Sequence, residues 1–151
     1  MDVSCVNPFI VSTIQTFKTM INWEVKPGKP EIKKEPFPMY DVSGIIGLSG
    51  GARGAIAISF PKLVALRVVS AMVGTDLKVV GTELTDGIGE LANIIAGNAK
   101  QDLVQYKLSI SLPHVIIGKN HMIASQKEIP TLLVPFIASQ GQFAMGVSLK
   151  S

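Results

Sequence analysis

Residues 85–100, TDGIGELANIIAGNAK, decide how this chain folds. Wound at about 100° per residue, Ile88, Leu91, Ala92, Ile95 and Ala99 gather on one side, and Leu103 extends the row. An apolar stripe of that width belongs against a core. Asp86, Glu90, Asn93 and Gly97 fall nearly opposite, within an arc of roughly 60°. A carboxylate and an amide at spacing i, i+3 therefore point the same way from one rigid rod. Gly89 and Gly97 beside them leave the helix surface low. A glycine inside a helix costs about 1 kcal/mol relative to alanine. Gly87, Gly89 and Gly97 thus ask for a compensating close approach, either by another chain or by a neighbouring helix.

Outward from that helix, the chain reads as one domain over residues 1–151, long enough to bury a core of its own. Hydrophobic residues make up 47% and charged residues only 17%, an apolar surplus that a homodimer would absorb. The net charge of +3 is modest. No run of four basic residues is present and no aromatic residues interleave with a basic stretch, so nucleic acid is not an expected partner. Cys5 is the only cysteine, which rules out a disulfide framework and suits a reducing cytoplasm. Neither a signal peptide nor a membrane span is expected, because no apolar run approaches about 18 residues.

The first element is a helix, with Asn7 as expected N-cap and Pro8 in its first turn. Ile10, Ile14, Phe17 and Ile21 form its apolar stripe, while Ser12, Gln15, Thr16 and Thr19 are expected to face water. Lys26 to Pro38 carries four prolines among alternating Lys and Glu, including Glu31 and Glu35, and reads as a solvated connection or edge strand. Tyr40–Leu48 and Ala55–Phe60 read as two strands of a hairpin closed by glycines that supply positive φ. Pro61 opens a second helix, apolar nearly all round, that Gly74 closes. Such a helix is buried on two sides or takes part in an oligomer contact.

Beyond the central helix, Tyr106, Leu108, Ile110 and Leu112 alternate with Lys107, Ser109 and Ser111, the clearest period of two in the chain. Val115 and Ile117 start another short segment. Thr131–Ile137 and Gln142–Leu149 read as a hairpin around Ser139-Gln140-Gly141, with Phe143, Met145, Val147 and Leu149 pointing one way. The expected class is α/β of the α+β type, a largely antiparallel sheet with long helices packed on it.

Catalytic signatures are sparse. The glycines of the first hairpin lack the Lys-Ser or Lys-Thr ending of a phosphate loop. His114 and His121 have no zinc-ligand spacing, and no serine sits in a nucleophile elbow. Asp86 and Glu90 alone would leave a Mg²⁺ ion under-coordinated by protein.

The pattern Asp86-x3-Glu90-x2-Asn93, followed by Pro113 and Gly118, resembles the CheC/CheX family of chemotaxis phosphatases. The single copy and the length of 151 residues are closer to CheX than to CheC. The resemblance implies a CheC-like fold, a homodimer and phosphatase activity on the aspartyl phosphate of a CheY-like receiver domain. It gives Glu90 the contact to the receiver's lysine, and Asn93 the orienting of the attacking water. Asp86, Gly89 and Gly97 would lie in the partner-binding surface. It also implies that Mg²⁺ sits on the receiver, with no cofactor or metal bound by this chain. A noncatalytic dimeric receiver-binding or regulatory module is the alternative. The sequence does not name the cognate receiver.

Overall fold

The computed structural model describes residues 5–34, 36–119, 121–123 and 129–151. Its first elements are α1 (Asn7–Ile21) and three short strands, β1 (Lys26–Pro27), β2 (Glu31–Lys33) and β3 (Phe37–Pro38). The hairpin β4 (Val42–Ser49) and β5 (Arg53–Phe60) follows, then α2 (Lys62–Val73) and α3 (Thr82–Gln101). The remaining strands are β6 (Ser109–Ile110), β7 (His114–Ile117), β8 (Met122–Ile123), β9 (Thr131–Ala138) and β10 (Gly141–Lys150). This is an α+β fold with an antiparallel sheet in the order β1-β9-β10-β5-β4-β6, in which β2 also pairs with β9 and β7 with β4. A separate two-stranded piece joins β3 to β8.

The sheet's alternation builds two faces. Val42, Ile46, Ile56, Ile58, Phe60, Val134, Phe136, Phe143, Met145 and Val147 form the face under the helices, all buried in one cluster. Register brings Ile46 opposite Ile56, and Ile56 opposite Val147, so the row runs unbroken across three strands. Phe143 stacks on Phe17 of α1 at 4.7 Å and on Phe136 at 5.0 Å, which ties α1 to the sheet through aromatic contact. On the opposite face Phe37 and Met39 pack on Ala57, with Ile45 and Leu133 beside them.

Gly44 interrupts the helix-side row for a reason. A Cβ there would come within 3.1 Å of Ile88 Cγ2 and 3.2 Å of the Ala92 methyl. The apolar stripe of α3 therefore seats directly on the β4 backbone, and the polar arc is forced to the far side of the helix.

Three expectations need correction. Asn7 does not cap α1: the N-cap is Val6, and Asn7 already lies in the helix. Pro8, which has no N–H to satisfy, serves the first turn without a side-chain cap. Ser12 and Thr16 do not face water but are buried, together with Phe9, Thr13 and Phe17. Their small size lets α1 approach its neighbours, and the Ser12 hydroxyl donates to the Ile95 carbonyl of α3 at 2.7 Å. Ile10, Ile14 and Ile21 are consequently only half-buried. Finally, Tyr106–Leu112 is not a strand. Val104–Tyr106 is a 3₁₀ turn, Lys107 adopts φ 46°, and only Ser109–Ile110 pair with β4. The chain must first reverse out of α3, and the Tyr106 carbonyl accepts from Gly51 N–H at 2.7 Å to lock that reversal.

The other elements follow the sequence closely. Gly74 closes α2 in the left-handed region at φ 76°, and Gly50 turns the first hairpin at φ 120°. Lys26–Pro38 contributes short edge strands, and Glu35 within it lies outside the described residues. No helix is long and apolar enough to cross a membrane, among the described residues.

Candidate functional site

α3 starts at Thr82, with Gly81 as N-cap and Glu83 as the acidic residue of its first turn. Asp86 therefore lies more than a turn inside the helix and is not spent on capping. Asp86, Glu90 and Asn93 are all exposed, whereas Leu84, Ile88, Leu91, Ala92, Ile95 and Ala99 are buried. One rod thus separates the two sets by half a turn, as its periodicity requires. The ion pairs among the described residues are Lys18–Glu24, Lys33–Glu31 and Lys78–Asp76, and none engages Asp86 or Glu90. An exposed carboxylate and carboxamide without such a partner remain available to another molecule.

The three glycines of α3 have different surroundings. A Cβ at Gly87 would meet Val69 Cγ1 at 2.6 Å, so α2 crosses α3 against bare backbone. At Gly89 it would meet Pro113 Cγ at 3.3 Å and Val115 Cγ2 at 3.7 Å. Gly89 is buried by this contact within the chain. At Gly97 it would meet nothing from other elements within 4 Å among the described residues. Crowding by neighbouring elements accounts for the first two, and only Gly97 leaves open space. The polar arc thus runs along α3 between α2 on one flank and the Pro113–Val115 segment on the other.

Two clefts lie elsewhere. One of about 410 Å³ is lined by Met39, Tyr40, Leu133 and Pro135, on the face away from the helices. Another of about 510 Å³ lies between α2, Trp23 and Gln140. Neither borders Glu90 or Asn93. A reactive pair displayed on a helix surface suits a macromolecule that brings its own pocket.

Sequence spacing gave no signal for a second polar cluster. Ser43 Oγ lies 2.8 Å from Ser59 Oγ and 2.7 Å from His121 Nε2. His121 Nδ1 is 2.8 Å from the Gly118 carbonyl. A carbonyl can only accept, so Nδ1 carries the proton that meets it. Ser43 and Ser59 are fully buried, so these residues fasten the segment after β7 onto the sheet and offer no nucleophile to solvent. They come from β4, β5 and the position just before β8, and only the folded topology unites them. No group of three or more His, Cys, Asp or Glu suited to a metal occurs among the described residues.

Residues 42–137 match the family model described as chemotaxis phosphatase CheX. Over its whole length the chain is similar to the CheY-P phosphatase CheX of Thermotoga maritima, 31% identical and covering 99% of that protein. A CheC-like superfamily protein from Shewanella sp. PV-4 is 35% identical with a TM-score of 0.91, and the likeness covers 100% of both chains. A CheX from Borrelia burgdorferi, solved in complex with CheY, BeF₃ and Mg²⁺, is 27% identical with a TM-score of 0.80 over 97% of each chain.

Proposed function

The chain belongs to the CheX family of chemotaxis phosphatases, and on that premise we propose that it hydrolyses the aspartyl phosphate of a CheY-like receiver domain. The observation that carries this reading is the exposed pair Glu90 and Asn93, on one face of α3. Support comes from the CheY-P phosphatase to which the chain is similar along its full length, and from the related CheX solved with CheY.

Glu90 makes the charge-assisted contact to the receiver's lysine, which registers the docked helix before any chemistry. Asn93 enters the receiver's site and orients a water in line with the scissile bond. Water attacks phosphorus, the bond to the aspartate oxygen breaks, and carboxylate and inorganic phosphate separate. Positioning is most of what a protein contributes to such a transfer. A carboxamide can both donate to and accept from water without repelling phosphoryl oxygens. Mg²⁺ belongs to the receiver in this scheme. Asp86 flanks Glu90 on the same arc, Gly97 leaves room for the partner's backbone, and Gly89 shapes the contact surface by admitting Pro113.

Residues 1–151 act as one domain, and the working unit is a homodimer in the cytoplasm, where receivers reside. Leu63 and Val73 of α2 are 63% and 48% exposed, apolar surface that association would cover. Light scattering at micromolar concentration should give twice the chain mass. A monomeric mass would remove the dimer and leave the chemistry standing.

The functional test is phosphate release from phosphorylated receivers of the same cell, screened first for association. Asn93→Ala should lose about 10²-fold or more of the acceleration while keeping most of the docking. Glu90→Ala should weaken docking and turnover together. Association without faster release would establish the noncatalytic module instead.

A further inference from the structure

α3 carries both groups of the site, so whatever holds α3 in place sets where they stand. Before Asn93 the helix is closely packed. Ile88 and Ala92 seat on Gly44 of β4, Val69 presses on Gly87, and Pro113 packs on Gly89. These contacts are apolar and prefer no direction along the helix axis. Just after Asn93 the contact is of another kind. Ser12 of α1 is buried and donates its hydroxyl to the Ile95 carbonyl at 2.7 Å. Thr13 and Thr19 return their hydroxyls to their own helix, at the Phe9 and Gln15 carbonyls, and Thr13 also meets Met145 Sδ. Ser12 instead crosses to α3. In a regular helix the Ile95 carbonyl already accepts from the N–H four residues on, so the bond from Ser12 is an addition. It draws one carbonyl of α3 toward α1 and sets the local course of the helix.

We infer that Ser12 is a positioning residue for receiver dephosphorylation: through the Ile95 carbonyl it fixes the axial position of the α3 turn that presents Asn93. The inference rests on the receiver-phosphatase reading and adds to it a residue outside the docking surface. Asn93 lies about 3 Å of helix rise before Ile95, between the closely packed turn and the hydrogen bond. Packed helices slide by about 1–2 Å while keeping their apolar contacts. A hydroxyl-to-carbonyl bond tolerates only a few tenths of an ångström, about 2.5–3.0 Å in all. The bond therefore removes a freedom that packing alone leaves. That freedom matters to the chemistry, because misplacing a reactant by about 1 Å costs as much as about 10²-fold in rate. Ser12 is buried, so it acts on the receiver only through α3. Stability asks less of it: alanine is the better helix former, and Ile95 would keep its bond within the helix.

The experiment measures receiver affinity and phosphate-release kinetics for wild type, Ser12→Ala, Thr13→Val, Asn93→Ala and the double variant Ser12→Ala/Asn93→Ala. Circular dichroism sets a temperature at which all are folded. Ser12→Ala should lower kcat about tenfold while leaving Kd for the receiver unchanged. Thr13→Val removes a buried hydroxyl of the same helix that makes no bond to α3, and its kcat should match wild type. In the Asn93→Ala background, Ser12→Ala should cost nothing further, because the group that it positions is gone. A wild-type kcat for Ser12→Ala would overturn the inference. An equal loss in Thr13→Val would also overturn it, since general loosening of α1 would then be the cause. So would a further loss in the double variant, or a raised Kd with kcat kept. Wild type that binds receivers without accelerating release would overturn the phosphatase reading and this inference together, a result distinct from an active wild type matched by Ser12→Ala.

Discussion

α1 and α3 lie against each other and treat polar residues in opposite ways. α1 buries Ser12, Thr13 and Thr16, whereas α3 exposes Asp86, Glu90 and Asn93. The difference is chemical. A hydroxyl is small and can return its hydrogen bond to a helix carbonyl, as Ser12 does to Ile95 and Thr13 does to Phe9. A carboxylate or carboxamide has more bonding capacity than a packed helix interface can satisfy, so burying it without partners is costly. A serine or threonine on a helix face therefore says little about which side is wet. A glutamate and an asparagine one turn apart say a great deal.

That contrast can be broken or sharpened by substitution. The largest effect is expected from Asn93→Ala, about 10²-fold in phosphate release or some 2.7 kcal/mol of transition-state free energy. Its thermal midpoint should stay within a degree or two of wild type, because an exposed amide is removed. A large drop in that midpoint, read by circular dichroism, would show Asn93 to be structural. Next comes Gly87→Ala, whose new methyl would press on Val69 from 2.6 Å. It should destabilise by about 1–3 kcal/mol in urea unfolding while leaving activity per folded molecule intact. Gly97→Ala should do the opposite, gaining about 1 kcal/mol of stability because its surroundings are open. If Gly97 faces the receiver, the same change weakens docking. A stabilised variant with unaltered Kd would take Gly97 out of the interface. The smallest effect belongs to Thr16→Val. Thr16 Oγ1 is buried with no hydrogen-bond partner among the described residues, so the isosteric valine should stabilise by up to about 1 kcal/mol without touching activity. Loss of stability there would mean that the hydroxyl has a bound partner in solution.

The same chemistry explains how much was legible beforehand. The double character of α3 could be read from residue types alone, since its apolar stripe and polar arc are set by 3.6-residue periodicity. Alternation likewise gave Phe143, Met145, Val147 and Leu149 of β10, all of which are buried. Residue type misleads at α1 because small hydroxyl side chains can be dry, and at 106–112 because alternation alone does not make a strand. There the chain has to leave a helix and cross to a sheet edge, and Lys107 accepts a left-handed conformation to do so. Local pattern does not contain that tertiary demand. The contacts of Gly44 with Ile88 and of Gly89 with Pro113 were illegible for the same reason. Glycine in a sequence states only that something comes close, and the fold supplies what it is.

The central claim is that Asn93 acts through a neutral amide that positions water, and Asn93→Asp tests it most directly. The substitution keeps the shape of the side chain and changes its charge and its donors. Phosphate release from a cognate phosphorylated receiver should fall at least as far as with Asn93→Ala, with the fold unchanged by circular dichroism. The introduced carboxylate would repel the phosphoryl oxygens and could no longer donate to them or to water. An Asn93→Asp protein that accelerates release as well as wild type does would contradict the account.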